Sequence, residues 1–508
     1  MFTSVASAAL VGIEAREVLI EVDISDGGMP VLEMVGFLGS EVRESKERIR
    51  TALKNSGYIL PPRRITINFS PADLRKSGTS FDLAVAVSVV SSMGNLPREY
   101  LEGTLVVGEL SLSGEVKKTN GILPMVLMAK ESGFKRIIVP KENEKEGAVA
   151  NDIDVIGVEN IEEAVGYLCR TVDLKPCKCM ITEKLSGEDE FELDFSDIKG
   201  QEMAIRAVSL SVAGMHNLLL IGPPGSGKSM IAKRIPTIMP PMSERECLEL
   251  TKIYSAAGKL GDRGLVTKRP FITAHHTSTP QSLTGGGRYP SPGLCSLSMY
   301  GTLFLDELPE FQKGTLEALR EPLEDKCVTV ARSGWSYTFP ADMLLVTAAN
   351  PCRCGYYPDK NRCKCTERDV RAYQGRISGP ILDRIDITCR VEGMDFDELN
   401  DRGIKGESSE KIRERVINAV EMQKKRFEGK NIRFNSGMEA GDIRKYCVLG
   451  EKEEELLKQS FKKLGLSARG YHRILKCART IADMDESDRI SCAHLSEAIS
   501  YRFNDINM

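Results

Sequence analysis

Residues 217–229 read Asn217-Leu-Leu-Leu-Ile-Gly-Pro-Pro-Gly-Ser-Gly-Lys-Ser229, an apolar run followed by a glycine-rich loop. The apolar run predicts a short buried strand, and the residues after Ser229 predict a helix. Between a strand and a helix, G-x-x-x-x-G-K-S is the pattern of a phosphate-binding loop (P-loop), whose backbone N–H groups face the phosphates. We expect Lys228 to reach the β- and γ-phosphates of ATP and Ser229 to bind Mg²⁺. The predicted ATP-binding residues of this loop are Gly222, Pro223, Pro224, Gly225, Ser226, Gly227, Lys228 and Ser229.

Two acidic residues end a second apolar run, in Gly301-Thr-Leu-Phe-Leu-Asp-Glu307. ATP hydrolysis needs one acid on the magnesium and one group that polarises the attacking water. We therefore assign Asp306 to the metal and Glu307 to the water, with a pair of surface acids as the alternative. Met343–Ala348 predicts a third strand. Asn350 just beyond it is placed to orient the water, although an asparagine at a strand end is often only a turn residue.

The composition is that of a globular protein without a global nucleic-acid signal. The chain has 508 residues, of which 41% are hydrophobic and 28% charged, and its net charge is −3. At roughly 100–200 residues per domain, this length allows about three domains. Because no overall basic field is present, contact with DNA would need local patches. Fourteen cysteines fit a reducing cytoplasm, and the absence of an apolar run of about 18 residues predicts no membrane span.

Patterning divides the chain into three regions and a linker. Residues 1–168 alternate strand-like and helical stretches, which predicts an α+β or α/β domain. Residues 169–190 contain a polar run and are predicted to be a linker. Residues 191–395 alternate apolar strands with helices, as parallel sheets do. Residues 396–508 hold almost only amphipathic helical stretches, among them Glu451–Leu464, so we expect a multidomain α/β protein with a helical C-terminal domain.

Several further segments resemble one family, the magnesium-chelatase-like AAA+ ATPases of the YifB/ComM type. These segments are Phe195-Ser-Asp-Ile-Lys-Gly-Gln201, His275-His-Thr-Ser278, Gly285-Gly-Gly287, Leu303-Phe-Leu-Asp-Glu307, Ala349-Asn-Pro-Cys352 and Ser378-Gly-Pro-Ile-Leu-Asp-Arg-Ile-Asp386. The resemblance implies a Lon-protease-like (ribosomal S5-like) domain, then an AAA+ P-loop domain, then a helical lid. It also implies a homo-oligomer, a hexameric ring, and branch migration of DNA during recombination or transformation.

Two arginines are candidates for charge stabilisation at the phosphates. In ring ATPases a cation supplied by the neighbouring subunit stabilises the transferring phosphate. By the family resemblance this arginine finger is Arg384, with an intrachain pair to Asp383 or Asp386 as the alternative. The resemblance also marks Arg469 as the lid arginine, with Arg473 one turn later as the second choice and a solvated basic helix face as the alternative.

Residues 327–340 predict a β-hairpin, Val328–Arg332 and Trp335–Phe339 around a Ser333-Gly334 turn. In related helicases such a hairpin enters the ring pore. Arg332 can pair with phosphate and Trp335 can stack on a base. The alternative is a hairpin packed on a subunit interface.

Cysteines 352, 354, 363 and 365 follow the spacing C-x-C-x₈-C-x-C. Four thiols within so short a segment suit a tetrahedral zinc site. The spacing favours structural Zn²⁺ bound by Cys352, Cys354, Cys363 and Cys365, and four reduced thiols on a loop are the alternative. The adjacent His275 and His276 point in different directions and predict no zinc.

The N-terminal region lacks one half of a protease dyad. Lys76-Ser-Gly-Thr-Ser80 resembles the segment that carries the Lon serine, which places Ser80 at the nucleophile position. The position that should hold the lysine is occupied by Leu123 or Pro124, and a serine without its base is a poor nucleophile. We therefore interpret this domain as a binding or assembly module. The favoured function is a ring motor acting on DNA, ahead of a chelatase-like or protein-remodelling motor and of an ATP-dependent protease.

Overall fold

The computed structural model describes residues 2–25, 27, 29–178, 191–287, 289–332, 335–393 and 406–506. The N-terminal part folds around a seven-stranded sheet covered by helices. The strands of this part are β1 (Phe2–Val11), β2 (Glu14–Ile24), β3 (Val31–Val35), β4 (Arg64–Ser70), β5 (Thr104–Val106), β6 (Glu109–Leu110), β7 (Val116–Lys117), β8 (Arg136–Pro140) and β9 (Asp154–Val158). β6 and β7 pair only with each other and lie outside the seven-stranded sheet. The helices of this part are α1 (Ser40–Asn55), α2 (Asp82–Ser92), α3 (Ile122–Glu131), α4 (Glu144–Gly147) and α5 (Ile161–Leu168).

This first sheet is mixed, because it contains both antiparallel and parallel strand pairs. Its strand order is β3-β4-β2-β1-β5-β8-β9. β1, β2 and β4 pair antiparallel, and β5, β8 and β9 extend the sheet in parallel from β1. α2 consists almost entirely of Ala, Val and Ser, and every one of its residues is buried. A helix that is apolar all round belongs inside a core, so α2 is the central helix of this domain.

The middle of the chain forms a second, five-stranded sheet. The helices of this part of the chain are α6 (Glu202–Gly214), α7 (Lys228–Ile238), α8 (Glu244–Ala256), α9 (Pro280–Thr284), α10 (Leu294–Leu297), α11 (Lys313–Glu317), α12 (Arg320–Asp325), α13 (Glu367–Gln374) and α14 (Gly379–Leu382). The strands of this part are β10 (Leu218–Ile221), β11 (Phe271–Ala274), β12 (Gly285–Gly286), β13 (Ser291–Pro292), β14 (Thr302–Leu305), β15 (Cys327–Arg332), β16 (Trp335–Pro340), β17 (Leu344–Ala349) and β18 (Ile387–Arg390).

The second sheet is parallel throughout, in the order β11-β14-β17-β10-β18. β10, β14 and β17 are buried along their whole length, as strands covered on both faces must be. All carboxyl ends of such a sheet share one edge, and ligands of α/β proteins bind at that edge. The parallel sheet predicted from the alternating pattern is therefore confirmed.

The C-terminal part is helical, as predicted. It consists of α15 (Ser409–Arg426), α16 (Ala440–Tyr446), α17 (Glu451–Leu464), α18 (Ala468–Met484) and α19 (Cys492–Ile506). These helices share one hydrophobic cluster with α6, α7 and one face of the parallel sheet. Residues 179–190 of the predicted linker and the predicted boundary at residue 396 lie outside the described residues. Of the described helices, none combines the length and the apolar composition that a bilayer crossing requires.

Another hydrophobic cluster joins the N-terminal part to the P-loop part. Ile122 and Val126 of α3 and Leu250 and Ile253 of α8 belong to this one buried cluster. The backbone N–H of Gly121 also donates to the carbonyl of Ser255. The two sheets are thus connected by a common core, in addition to the chain that links them.

Candidate active site

The P-loop follows β10 and leads into α7, as the strand–loop–helix pattern predicts. Gly222 lies against the carbonyl oxygen of Val391, and a Cβ at this position would collide with it. Only glycine therefore fits there. The buried Nζ of Lys228 donates to the carbonyls of Gly222 and Pro223, both at 2.8 Å. Burial lowers the pKa of Lys228, and the charges of the two acids that end β14 oppose this shift.

Ser229 and Asp306 meet although their strands are not neighbours. The Ser229 hydroxyl donates to Oδ2 of Asp306 at 2.7 Å, and Oδ1 of the same carboxylate accepts from the backbone of Glu307 at 2.9 Å. β17 separates β10 from β14 in the sheet, but the loops beyond these strands converge. A hydroxyl and a carboxylate are oxygen ligands of the kind that Mg²⁺ prefers. This pair fits the predicted magnesium site.

Asn350 and Glu307 complete the edge of the sheet. Oδ1 of Asn350 lies 3.3 Å from Nζ of Lys228. Glu307 is exposed and has a φ of 54°, a left-handed conformation that non-glycine residues rarely adopt. Strained backbone of this kind is concentrated at functional sites. The structure thus brings the P-loop, the acid pair and Asn350 together.

His276 was missed by the sequence analysis as part of this site. Its Nδ1 lies 3.8 Å from Oε2 of Glu307. It follows β11, which pairs in parallel with β14, so both strands end at the same edge. The sequence could have indicated His276 only through its position after a strand. That strand, Phe271–Ala274, is short and lies in a segment rich in Gly, Ser, Thr and Pro, so it was not recognised.

The two candidate arginines meet at one carboxylate, Glu324 of α12. Arg384 is 7% exposed, and its Nη2 lies 2.6 Å from Glu324. Its Nη1 donates to the carbonyl of Pro380, while its buried Nε has no hydrogen-bond partner. Arg469 is 66% exposed and lies 3.6 Å from the same Glu324. The hydrogen bond from Arg384, aided by the charge of Arg469, lowers the pKa of Glu324.

The intrachain partner of Arg384 differs from both expected partners. The sequence analysis expected Asp383 or Asp386 as the partner, but Arg384 forms its ion pair with Glu324. Asp386 forms an ion pair with Arg473 instead. Nε of Arg473 lies 3.3 Å from Oδ1 of Asp386, and its Nη1 donates to the carbonyl of Ile385. Arg473 therefore connects the C-terminal helices to the sheet.

Comparisons with known proteins cover almost the whole chain. Family profiles match residues 20–143 ("Subunit ChlI of Mg-chelatase"), 194–399 ("Magnesium chelatase, subunit ChlI") and 406–502 ("Magnesium chelatase, subunit ChlI C-terminal"). The competence protein ComM of Haemophilus influenzae is 36% identical over 501 residues, 98% of this chain and 97% of ComM. YifB of Salmonella typhimurium is 39% identical over 500 residues, 98% of this chain and 96% of YifB. The chain belongs to the YifB/ComM family.

A shorter match involves a protease. Lon protease 2 of Bacillus subtilis is 32% identical over 148 residues, which is 27% of this chain and 26% of the protease. In this YifB/ComM-family chain, Ser80 is nearly buried, and Leu123 and Pro124 are buried residues of α3. Lys118 shares a cleft of 410 Å³ with Ser80, but its Nζ donates to Gly261 and Asp262 of the P-loop part.

The predicted hairpin is present as β15 and β16, with Arg332 opposite Trp335. Its Ser333-Gly334 turn lies outside the described residues. Phe339 of the hairpin is buried in one cluster with Ile13 of the N-terminal part. Arg332 and Trp335 line a small cleft of 60 Å³ together with Tyr289 and residues of the N-terminal part. In this YifB/ComM-family chain the hairpin thus packs against the first domain.

The four cysteines of the C-x-C-x₈-C-x-C segment converge. Sγ of Cys352 lies 3.3 Å from that of Cys354 and 3.8 Å from that of Cys363, and all four sulfurs lie within 4.8 Å of one another. A ZnS₄ tetrahedron with Zn–S bonds of about 2.3 Å has edges of about 3.8 Å. The donor set therefore fits a thiolate-bound metal.

Proposed function

We propose that this YifB/ComM-family chain hydrolyses ATP at the carboxyl edge of its parallel sheet. Lys228 would hold the β- and γ-phosphates, and Ser229 and Asp306 would hold Mg²⁺. Bound there, the metal would offset the charge of the phosphates. Asn350 orients a water for attack on the γ-phosphorus, and Glu307 accepts its proton. The bond from the γ-phosphorus to the bridging oxygen breaks, which yields ADP and inorganic phosphate.

The convergence of Lys228, Ser229, Asp306, Glu307 and Asn350 carries this proposal, because three separate strands deliver them to one place. In Glu307→Gln, we expect ATP to bind but hydrolysis to fall by about 100-fold or more, since the proton acceptor is lost. Steady-state phosphate release and nucleotide binding measure the two steps. Glu310→Gln nearby, which loses only an ion pair to Arg376, is the matched control. Full activity of Glu307→Gln would remove Glu307 from the mechanism.

We further propose a homo-oligomeric, hexameric ring in which Arg384 acts on the neighbouring subunit's ATP. The family resemblance supports this role, and Glu324 holds the guanidinium in place, with Nη2 of Arg384 2.6 Å from its carboxylate. Arg384→Ala and Glu307→Gln should each be inactive alone. Mixed rings should regain activity, since a Glu307→Gln subunit supplies its arginine to a neighbour with an intact acid. If mixtures of the two variants stay inactive, or if the wild-type protein is a monomer in the presence of ATP, this arrangement is excluded.

We infer that the motor acts on DNA. The family resemblance supports this inference, and so does the presence of Arg332 and Trp335 on one hairpin. Forked or four-way DNA should then raise the ATPase rate several-fold. Arg332→Ala combined with Trp335→Ala should abolish this stimulation and leave the basal rate unchanged. If ATP is hydrolysed and no DNA changes the rate, the motor acts on a protein or within a chelatase-like complex.

We propose that the first domain is related to the Lon domain and serves binding or assembly, not proteolysis. The partial match to a Lon protease supports the kinship, and the engagement of Lys118 by Asp262 supports the loss of peptidase chemistry. Ser80→Ala should leave all activities unchanged, and ATP-dependent digestion of an unfolded substrate by the wild type would contradict the proposal.

We also propose that Cys352, Cys354, Cys363 and Cys365 bind one structural Zn²⁺ per chain, and that the protein works in the cytoplasm, where thiols stay reduced. Elemental analysis of the purified protein should give one zinc per chain. Cys363→Ser with Cys365→Ser should lose it, whereas Cys169→Ser in the first domain should keep it.

A further inference from the structure

The four-thiol segment begins almost inside the nucleotide site. Cys352 follows Asn350 after one intervening proline, and its side chain is fully buried. The carbonyl of Pro351 accepts a hydrogen bond from the side chain of Gln374 in α13. The backbone that presents Asn350 to the γ-phosphate therefore continues directly into the first thiol of the cluster.

The same segment also touches the P-loop. Gly355 has a φ of 85° and packs so closely on Pro224 that a Cβ at this glycine would collide with Cδ of the proline. The backbone N–H of Gly355 donates to the carbonyl of Cys352 at 2.9 Å. The position of Gly355 is thus set by the turn that holds Cys352 and Cys354.

The P-loop and the thiol segment are opposite walls of one cavity. This cavity has a volume of 440 Å³, and its lining includes Gly222 and Pro223 on one side and Tyr356 and Asp359 on the other. Beyond Tyr356 the segment is mostly exposed, up to the start of α13. Exposed backbone with few buried contacts has little local stability of its own.

We propose that zinc in the four-thiol cluster is a structural part of the ATP site, because it fixes Gly355 against Pro224 and the backbone after Asn350. This inference rests on the proposed ATPase activity and zinc site, and it adds a dependence of nucleotide binding on the metal. Four thiolate ligands close the loop from Cys352 to Cys365, and metal binding of this kind supplies folding free energy to the segment. Loss of the metal frees Asn350 and Pro224 together.

The first test removes the metal. Cys363→Ser with Cys365→Ser is prepared in a Glu307→Gln background, so that a fluorescent ATP analogue binds without turnover. We expect no zinc by elemental analysis and a dissociation constant raised by about 10-fold, as for other losses of support around a site. Cys169→Ser in the same background should keep both zinc and affinity.

The second test keeps the metal and changes the contact. Gly355→Ala retains all four thiols but places a methyl group against Pro224, so zinc should stay at one per chain while ATP affinity falls. Gly133→Ala is the matched control, since Gly133 has a similar φ of 81° and open space around its Cβ position. This control separates left-handed backbone strain from the contact with Pro224.

The outcomes distinguish the inference from the proposals beneath it. Wild-type protein without zinc would overturn the metal site and, with it, this inference, while ATP binding would stand. Wild-type protein that binds no ATP would overturn the ATPase proposal itself. If the double cysteine variant loses zinc and its ATP affinity does not change, only this inference is overturned. Unchanged ATP affinity in Gly355→Ala would also overturn it.

Discussion

Asp386 lies where the parallel sheet meets the C-terminal helices, and its carboxylate has several partners. Oδ2 accepts from the backbone of Asn217 at 3.1 Å and lies 3.8 Å from Nδ1 of His216, and Arg473 approaches Oδ1. Burial alone would raise the pKa of Asp386, but His216 and the charge of Arg473 outweigh it and lower the pKa. The ionised carboxylate is therefore stabilised in the folded state.

Asp386→Asn tests this cluster through its pH dependence. Because the folded pKa lies below the unfolded value of about 4, the stabilisation is present above that pH and is lost as the pH falls through the folded pKa. We expect the variant to lose about 3 kcal/mol at neutral pH, since Arg473 stays buried without its partner. Its urea stability should also fall less steeply below pH 4 than that of the wild type. Asp152→Asn at an exposed ion pair should match the wild type.

Single residues differ in how well the sequence predicts them. The P-loop, Asp306, Glu307 and Asn350 are recognisable because each lies in a fixed pattern directly after an apolar strand. Glu324 lies in no such pattern, and His276 follows a strand that is too short to be recognised from the sequence. Their contacts depend on how α12 and β11 are placed beside the other elements, and that placement is decided by packing between residues far apart in the chain.

Helix α12 brings the two candidate arginines together, although it was not predicted as an element. Glu324 near its C-terminal end contacts Arg384 after α14 and Arg469 in α18. One carboxylate thus links three elements from two parts of the chain. We expect it to position Arg384 for the neighbouring ATP.

Glu324→Gln should lower kcat by about 10-fold and leave the dissociation constant for ATP unchanged, because a misplaced arginine weakens only the transition state. Single-turnover hydrolysis and binding of a fluorescent ATP analogue measure the two quantities. Glu317→Gln, which loses an ion pair to Arg320 on the adjacent helix, is the control. An equal rise in the dissociation constant would point to a fold defect instead.

Long periodic elements are predictable, and short ones are not. Glu451–Leu464 was predicted with the bounds that the structure gives it, because its apolar stripe extends over several turns. Ala440–Tyr446 and Phe271–Ala274 were missed, since seven and four residues are too few to establish a period. The hairpin of β15 and β16 was predicted, but its packing on the first domain was not, because that contact is made with residues more than 300 positions earlier.

The common core of the first domain and the P-loop part should make the two unfold together. Ile253 of α8 is fully buried in this core. Ile253→Ala should cost about 2–5 kcal/mol and lower the melting temperature of both parts as one calorimetric transition. Ile59→Ala, at a position that is 79% exposed, is the matched control. Two separate transitions, of which only one shifts, would contradict a common core.

The hydrophobic contacts of the first domain and of the C-terminal helices with the P-loop part involve different helices, α8 for the former and α6 with α7 for the latter. If the C-terminal helices move during ATP hydrolysis, we expect the first domain to keep its position relative to the P-loop. A pair of dyes on the first domain and the C-terminal helices would record the full stroke, whereas a pair on the first domain and the sheet would record none. The N-terminal domain thus offers a fixed reference for measuring movement of the C-terminal helices.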